Sequence, residues 1–205
     1  TTVFNSTFNN NTAEDGGAMY NNGGTAIIAY SNFTDNIANK ANNAHGGAIY
    51  WKGGSSNDII IGCRFINNSA PATFSLGGAI FCDNGGQATF GAVIKDSVFY
   101  NNSVGRHGGA IDWFRADNGL IENCNFTENS AATGGAIRVY HDDATITNCN
   151  FTDNSATSQG GAIYIADDCH NAQMTDSKFV DNTATTGKAI YADGSGDGKV
   201  TDCDL

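Results

Sequence analysis

The sequence predicts an all-β chain wound as a parallel β-solenoid of about seven to eight coils. Three observations carry this. Two motifs, a glycine pair followed by Ala-Ile and a Phe-x-x-Asn, alternate along the whole chain. The glycine pairs Gly16-Gly17, Gly46-Gly47, Gly77-Gly78, Gly108-Gly109, Gly134-Gly135 and Gly160-Gly161, with a degenerate Gly187-Lys188, are spaced from 26 residues (Gly108 to Gly134) to 31 (Gly46 to Gly77). Between them lie short β-prone pieces such as GGAIY and ATITNCNF, set apart by Gly, Asn and Asp clusters, with no apolar spacing of the helical kind. A unit of that length made only of short strands suits one coil. Coils stacked at about 4.8 Å, the spacing of paired strands, give a rod roughly 35 Å long.

Each element of the repeat then has a physical task. A small residue comes first: Ser6, Ser31, Cys63, Ser97, Cys124, Cys149 and Ser177, with Cys203 continuing the series and Leu205 in the Phe place. Two residues on stands Phe8, Phe33, Phe65, Phe99, Phe126, Phe151 or Phe179. Strand alternation points both inward and the residue between them outward, so Phe stacks on Phe from coil to coil. Three residues later come Asn11, Asn36, Asn68, Asn102, Asn129, Asn154 and Asn182, placed at a corner and predicted to form an amide ladder. The glycine pair provides a tight bend with positive φ or a close backbone approach. After it, Ala is followed by Met19 or by Ile49, Ile80, Ile111, Ile137, Ile163 and Ile190. That residue and the one two later (Trp51, Cys82, Trp113, Val139, Ile165) read as inward. Tyr20, Tyr50, Phe81, Tyr164 and Tyr191 read as an outward aromatic row, in which Asp112 and Arg138 replace the aromatic on adjacent coils.

Composition narrows the function. The net charge is −11 with only 10 basic residues, a poor match to a phosphate backbone, so no nucleic acid partner is expected. No apolar run approaches the roughly 20 residues that span a bilayer, so no membrane insertion by this segment is expected. There is no initiator Met and no signal-peptide pattern, which fits a processed chain or one piece of something longer. Aromatics at 10%, spread evenly, argue against disorder in this Gly- and Asn-rich composition.

The pairing of GGAI with FxxN resembles the repeats of the polymorphic outer-membrane proteins and of adhesin-like surface proteins of archaea and bacteria. The likeness runs the length of the chain. It implies a right-handed parallel β-helix, right-handed crossovers also being the general rule, and an extracellular or cell-surface location with a role in adhesion. The sequence departs from those families in showing no membrane barrel and no anchoring segment. It reads as a single solenoid domain over 1–205. It begins (TVFNSTF) and ends (KVTDCDL) in the same phase of the repeat with no evident end caps. A segment of a longer array, or a subunit stacking end to end on itself, is expected.

Several residues could carry chemistry. Seven N-x-S/T sequons start at Asn5, Asn10, Asn32, Asn67, Asn101, Asn125 and Asn150, candidates for N-glycosylation; Asn32, Asn125 and Asn150 hold the outward place before Phe. The six cysteines are Cys63, Cys82, Cys124, Cys149, Cys169 and Cys203. Cys124 and Cys149 share a column on adjacent coils, at a separation of about 4.8 Å that a disulfide permits. Ser fills that column elsewhere, so stacked, buried thiols are expected. Asp35, Glu128, Asp153 and Asp181 precede the Asn ladder. Asp83, Asp117, Asp142, Asp143, Asp167, Asp168 and Asp193 follow the GGAI strand. A solvated acidic edge is expected there and no cofactor is predicted, calcium being the alternative. His45 and His107 precede glycine pairs two coils apart, with Leu76 between, too far apart to share a metal, and read as turn residues.

The expected function is an extracellular structural or adhesive rod, with flanking domains, cell-surface glycans or a host surface as partners. The alternative is a carbohydrate-binding module that stacks sugars on the Tyr20–Tyr191 row. A polysaccharide-degrading enzyme would centre on Asp112, Arg115, Asp117, Arg138, His141, Asp142 and Asp143. A surface ion pair between Asp112 and Arg138 is the simpler reading, so no catalytic residue is assigned.

Overall fold

The computed structural model describes residues 1–53, 57–83, 91–115, 118–141, 144–167, 169, 171–194 and 199–204. It is a parallel β-solenoid of about seven turns, built as four sheets of eight, seven, six and seven strands that run along the stack. The first sheet runs from Thr2–Phe4 to Lys199–Thr201 and the second from Thr7–Asn9 to Lys178–Val180. The third, of short strands, runs from Thr12–Ala13 to Ser155–Gln159, and the fourth from Met19–Asn22 to Ile190–Ala192. Every strand pairing is parallel, and the motif columns lie in register: Phe8 on Phe33, Phe65 on Phe99, Ile49 on Ile80, Ile80 on Ile111.

The predicted columns form as read. Phe33, Phe65, Phe99, Phe126 and Phe151 are wholly buried, and successive rings from Phe8 to Phe179 stack with centroids 4.8 to 4.9 Å apart and planes within 6° of parallel. Beside them runs the Asn ladder. Asn68 Nδ2 donates to Asn102 Oδ1 at 3.0 Å and to the Phe33 carbonyl at 2.9 Å, and the Asn68 amide donates to the same Asn102 oxygen at 3.0 Å. The pattern repeats through Asn36, Asn129, Asn154 and Asn182. A buried primary amide costs little only when both donors and the acceptor are used, and here each coil uses them all. The small column is a second ladder. The amide of each residue points at the hydroxyl or thiol of the next coil, as in Cys63 to Ser97 at 3.1 Å and Cys149 to Ser177 at 3.1 Å. That explains why Ser and Cys interchange there.

The corners differ in detail from the sequence reading. The turn residue is the one before each ladder Asn: Asn10, Asp35, Asn67, Asn101, Glu128, Asp153 and Asp181 all have φ between 52° and 57°. Asp35, Glu128, Asp153 and Asp181 are thus the left-handed corner of the coil, a conformation Asn and Asp tolerate best. A second left-handed column (Asn5, Tyr30, Gly62, Asp96, Asn123, Asn148, Asp176, Asp202) joins the first and second sheets. The glycine pair is a third corner that divides its two tasks. Gly108 has φ 67°, whereas a Cβ on Gly109 would run into the Gly135 carbonyl one coil on.

The aromatic row needs correction. Its side chains do point away from the core, but Tyr50 and Phe81 are only 8% and 3% exposed, against 47% for Tyr20. The strip before each glycine pair is folded over them. His45, Leu76, His107 and Thr133 bridge in parallel from coil to coil, and the His45 ring packs 5.9 Å from Tyr50 and 4.8 Å from Phe81. Two buried aromatics in the middle of the row leave no continuous platform for sugars.

Candidate functional site

The repeat breaks where Asp112 and Arg138 replace the outer aromatic, and there the fold opens a cleft of about 420 Å³. Asp112 and Arg138 pair in register on adjacent strands, Ile111–Phe114 and Ile137–Tyr140. Arg138 donates from Nε at 3.2 Å and Nη2 at 2.9 Å, both to Asp112 Oδ1. The pair is not on the surface as the sequence suggested: the side chains are 8% and 0% exposed. Leu76 and His107 of the covering strip line the same cleft as Arg138. Asp112 Oδ2 is buried without a hydrogen bond, and burial, only partly offset by Arg138, pushes the carboxyl up to about 6.

Aromatic rings fix the guanidinium. Phe114 and Tyr140 stack at 5.0 Å, and the Arg138 Cζ lies 5.7 Å and 5.0 Å from their centroids. Leu76, Arg106, His107, Tyr164, Ala166 and Asp167 complete the lining of the cleft. His107 Nδ1 is 2.5 Å from Thr133 Oγ1, and burial, followed by the nearby charges of Arg138 and Arg106, lowers its pKa to about 3. The imidazole is therefore a neutral donor or acceptor at ordinary pH. Tyr164 donates its hydroxyl to Asp193 at 2.8 Å.

Of the residues weighed as an enzyme centre, Arg138 lines this cleft and Asp112 lies beneath it. Arg115 rests over Phe114 at 5.0 Å and His141 packs edge-on to Tyr140 at 4.2 Å. Asp117, Asp142, Asp143 and, from the acidic edge, Asp168 lie outside the described residues, as does Leu205. Phe114 and Tyr140 had a sequence signal that the motif reading passed over: each is the fourth residue of its fourth-sheet strand, next after the inward Trp113 or Val139 and on the two coils where the row is interrupted.

Elsewhere, all seven sequon asparagines are exposed. Two neighbouring pairs are hydrogen-bonded to each other, Asn101 to Asn67 at 3.0 Å and Asn150 to Asn125 at 2.9 Å. None of the described cysteines is joined in a disulfide, and all but Cys203 are buried. Cys124 and Cys149 donate to the Glu122 and Thr147 carbonyls, each at 3.2 Å. Among the described residues no group of three or more His, Cys, Asp or Glu is placed to hold a metal ion, and no helix is long and apolar enough to cross a membrane.

The chain belongs to the family described as a right-handed β-helix region, which it matches over residues 37–205. The coil is therefore right-handed. No curated protein and no solved structure matches it.

Proposed function

We propose that this right-handed β-helix is an extracellular, cell-surface rod that serves attachment and not catalysis, similar to the adhesin-like surface proteins its repeats resemble. The observation that carries the reading is the pair of unbroken internal ladders, Phe8 to Phe179 and Asn11 to Asn182. They give a stiff body whose polar groups are satisfied from coil to coil, suited to holding a surface away from its anchor. Seven exposed sequon asparagines would place glycans outside that body without touching its core. The one carboxylate at the break in the row, Asp112, is sealed beneath Arg138, which weighs against its acting on a glycosidic bond.

The test is retention. Beads coated with the intact chain are expected to hold cells or particles bearing surface glycans, while soluble polysaccharides incubated with the chain release no new sugar ends. Ends accumulating with time, and stopping with Asp112→Ala, would sink the non-catalytic reading. A second reading, a carbohydrate-binding module, is favoured by the cleft. It sets aromatic rings, fixed donors and a carboxylate side by side, the chemistry of saccharide recognition. On that reading the contact is the cleft and not the row of Tyr20, Tyr50, Phe81, Tyr164 and Tyr191.

A further inference from the structure

A guanidinium carries five N–H donors in a planar fork. Arg138 gives two of them to Asp112, both to one oxygen. No other hydrogen bond engages it among the described residues, so three N–H groups remain, including the end-on fork formed by Nη1 and Nη2. The side chain is only 8% exposed, yet it forms part of the cleft wall. Its position is fixed by Asp112 on one edge and by the Phe114 and Tyr140 rings. An ordered fork with two parallel donors unused by the described residues is complementary to a carboxylate, which it can bind bidentately.

The rest of the cleft narrows the ligand. Arg106, on the same cleft, has no ion-pair partner among the described residues and rests over Phe74 at 5.7 Å. It brings a second guanidinium to the cleft of a chain whose net charge is −11. Tyr140, Tyr164 and the Asp167 carboxylate also line the cleft. A ligand that uses all of these combines an acid group, an apolar ring face and hydroxyl donors. Resting on the carbohydrate-binding reading, we infer that the cleft over Arg138 binds a glycan unit that carries a carboxylate, with the acid on the Arg138 fork beside Arg106 and the ring against Tyr140.

The experiment is a calorimetric titration of the intact chain with three probes: glucuronic acid, methyl glucoside and acetate. Glucuronic acid is expected to bind at least tenfold more tightly than either of the others, because each of them lacks one half of the contact. Arg106→Gln, at an exposed position, is expected to weaken glucuronic acid roughly tenfold and leave methyl glucoside unchanged. Arg138→Lys, checked for native circular dichroism, keeps the charge but not the fork and is expected to do the same. Equal binding of methyl glucoside would overturn the acid specificity and leave a neutral-sugar module. Acetate as tight as glucuronic acid would overturn the saccharide assignment. Glucuronic acid binding that survives Arg106→Gln would place it elsewhere on the rod. No binding of either sugar at millimolar concentration would overturn the inference and the carbohydrate reading together.

Discussion

Arg138 holds Asp112 across two adjacent coils, Nη2 to Oδ1 at 2.9 Å, at a place where other coils set an aromatic ring. A buried ion pair of this kind adds little over apolar packing, yet breaking it is costly because one charge is left behind. Arg138→Ala is therefore expected to destabilise by about 3–5 kcal/mol. The double replacement Asp112→Tyr with Arg138→Tyr, which restores the row, is expected to be neutral or stabilising. Denaturant midpoints of the three proteins decide it. A single mutant as stable as the parent would mean that the carboxylate finds another partner.

The Asn ladder makes a sharper prediction. Asn102→Ala leaves the Asn68 amide and one Asn68 Nδ2 donor without their acceptor and takes one donor from the Phe65 carbonyl, all inside the rod; the Asn129 oxygen keeps the backbone N–H of residue 102. At about 1–3 kcal/mol for each orphaned buried group, the loss should exceed about 2 kcal/mol. The outward Asn125→Ala should stay within about 0.5 kcal/mol. Comparable midpoints for the two would remove the ladder as a source of stability.

The glycan sites should exclude one another. Asn125 and Asn150 lie on directly paired strand positions and hydrogen-bond to each other; Asn67 and Asn101, corner residues just past a paired strand, also hydrogen-bond to each other. Strand spacing of about 4.8 Å leaves no room for two sugar cores side by side. When the chain is made in a glycosylating host, glycopeptide mapping of folded protein is expected to find at most one glycan in each pair. A folded species carrying both would show that the sugars can splay apart.

Acid should act through His107. Its folded-state pKa, about 3, lies below the ordinary value. The stability it contributes is thus fully present above about 6.5 and is lost as pH falls toward 3. Asp112 acts in the opposite sense. Raised to about 6, it favours folding below its ordinary range and loses that contribution as pH rises through 6. Replacing His107 by Gln removes the first effect and leaves the second. Melting temperatures between pH 7 and pH 4 should then fall less steeply for His107→Gln than for the parent, and parallel slopes would contradict the assignment.

The thiol column should tolerate serine and resist larger groups. Cys124 and Cys149 are buried and donate to carbonyls as Ser31 and Ser97 do. Cys149→Ser is expected to cost less than about 1 kcal/mol. Cys149→Val, which has no donor or acceptor, should cost more. Native protein should not react with a thiol reagent at Cys149 until unfolded; rapid native labelling would contradict the packing.

The inner half of this molecule was legible because a stacked coil writes each structural place seven times. Phe33, Asn68 and Ile111 could be assigned inward from their columns alone, since in-register pairing repeats each environment at every coil. The corners were legible less well. Glu128 and Tyr30 do not announce a left-handed conformation as glycine does, and only their alignment with Asn67 and Gly62 gives them away.

The sequence by itself determined the repeat, the strand order around the coil and which side chains face the core, because period-two alternation and register leave no freedom there. Only the tertiary structure decided what lies outside. Pointing away from the sheet is not the same as meeting solvent. The strip through His45, Leu76 and His107 folds back over Tyr50 and Phe81, and its path depends on contacts between coils that no single repeat contains. Packing between coils likewise made the expected surface ion pair a buried one and set Arg138 on a cleft.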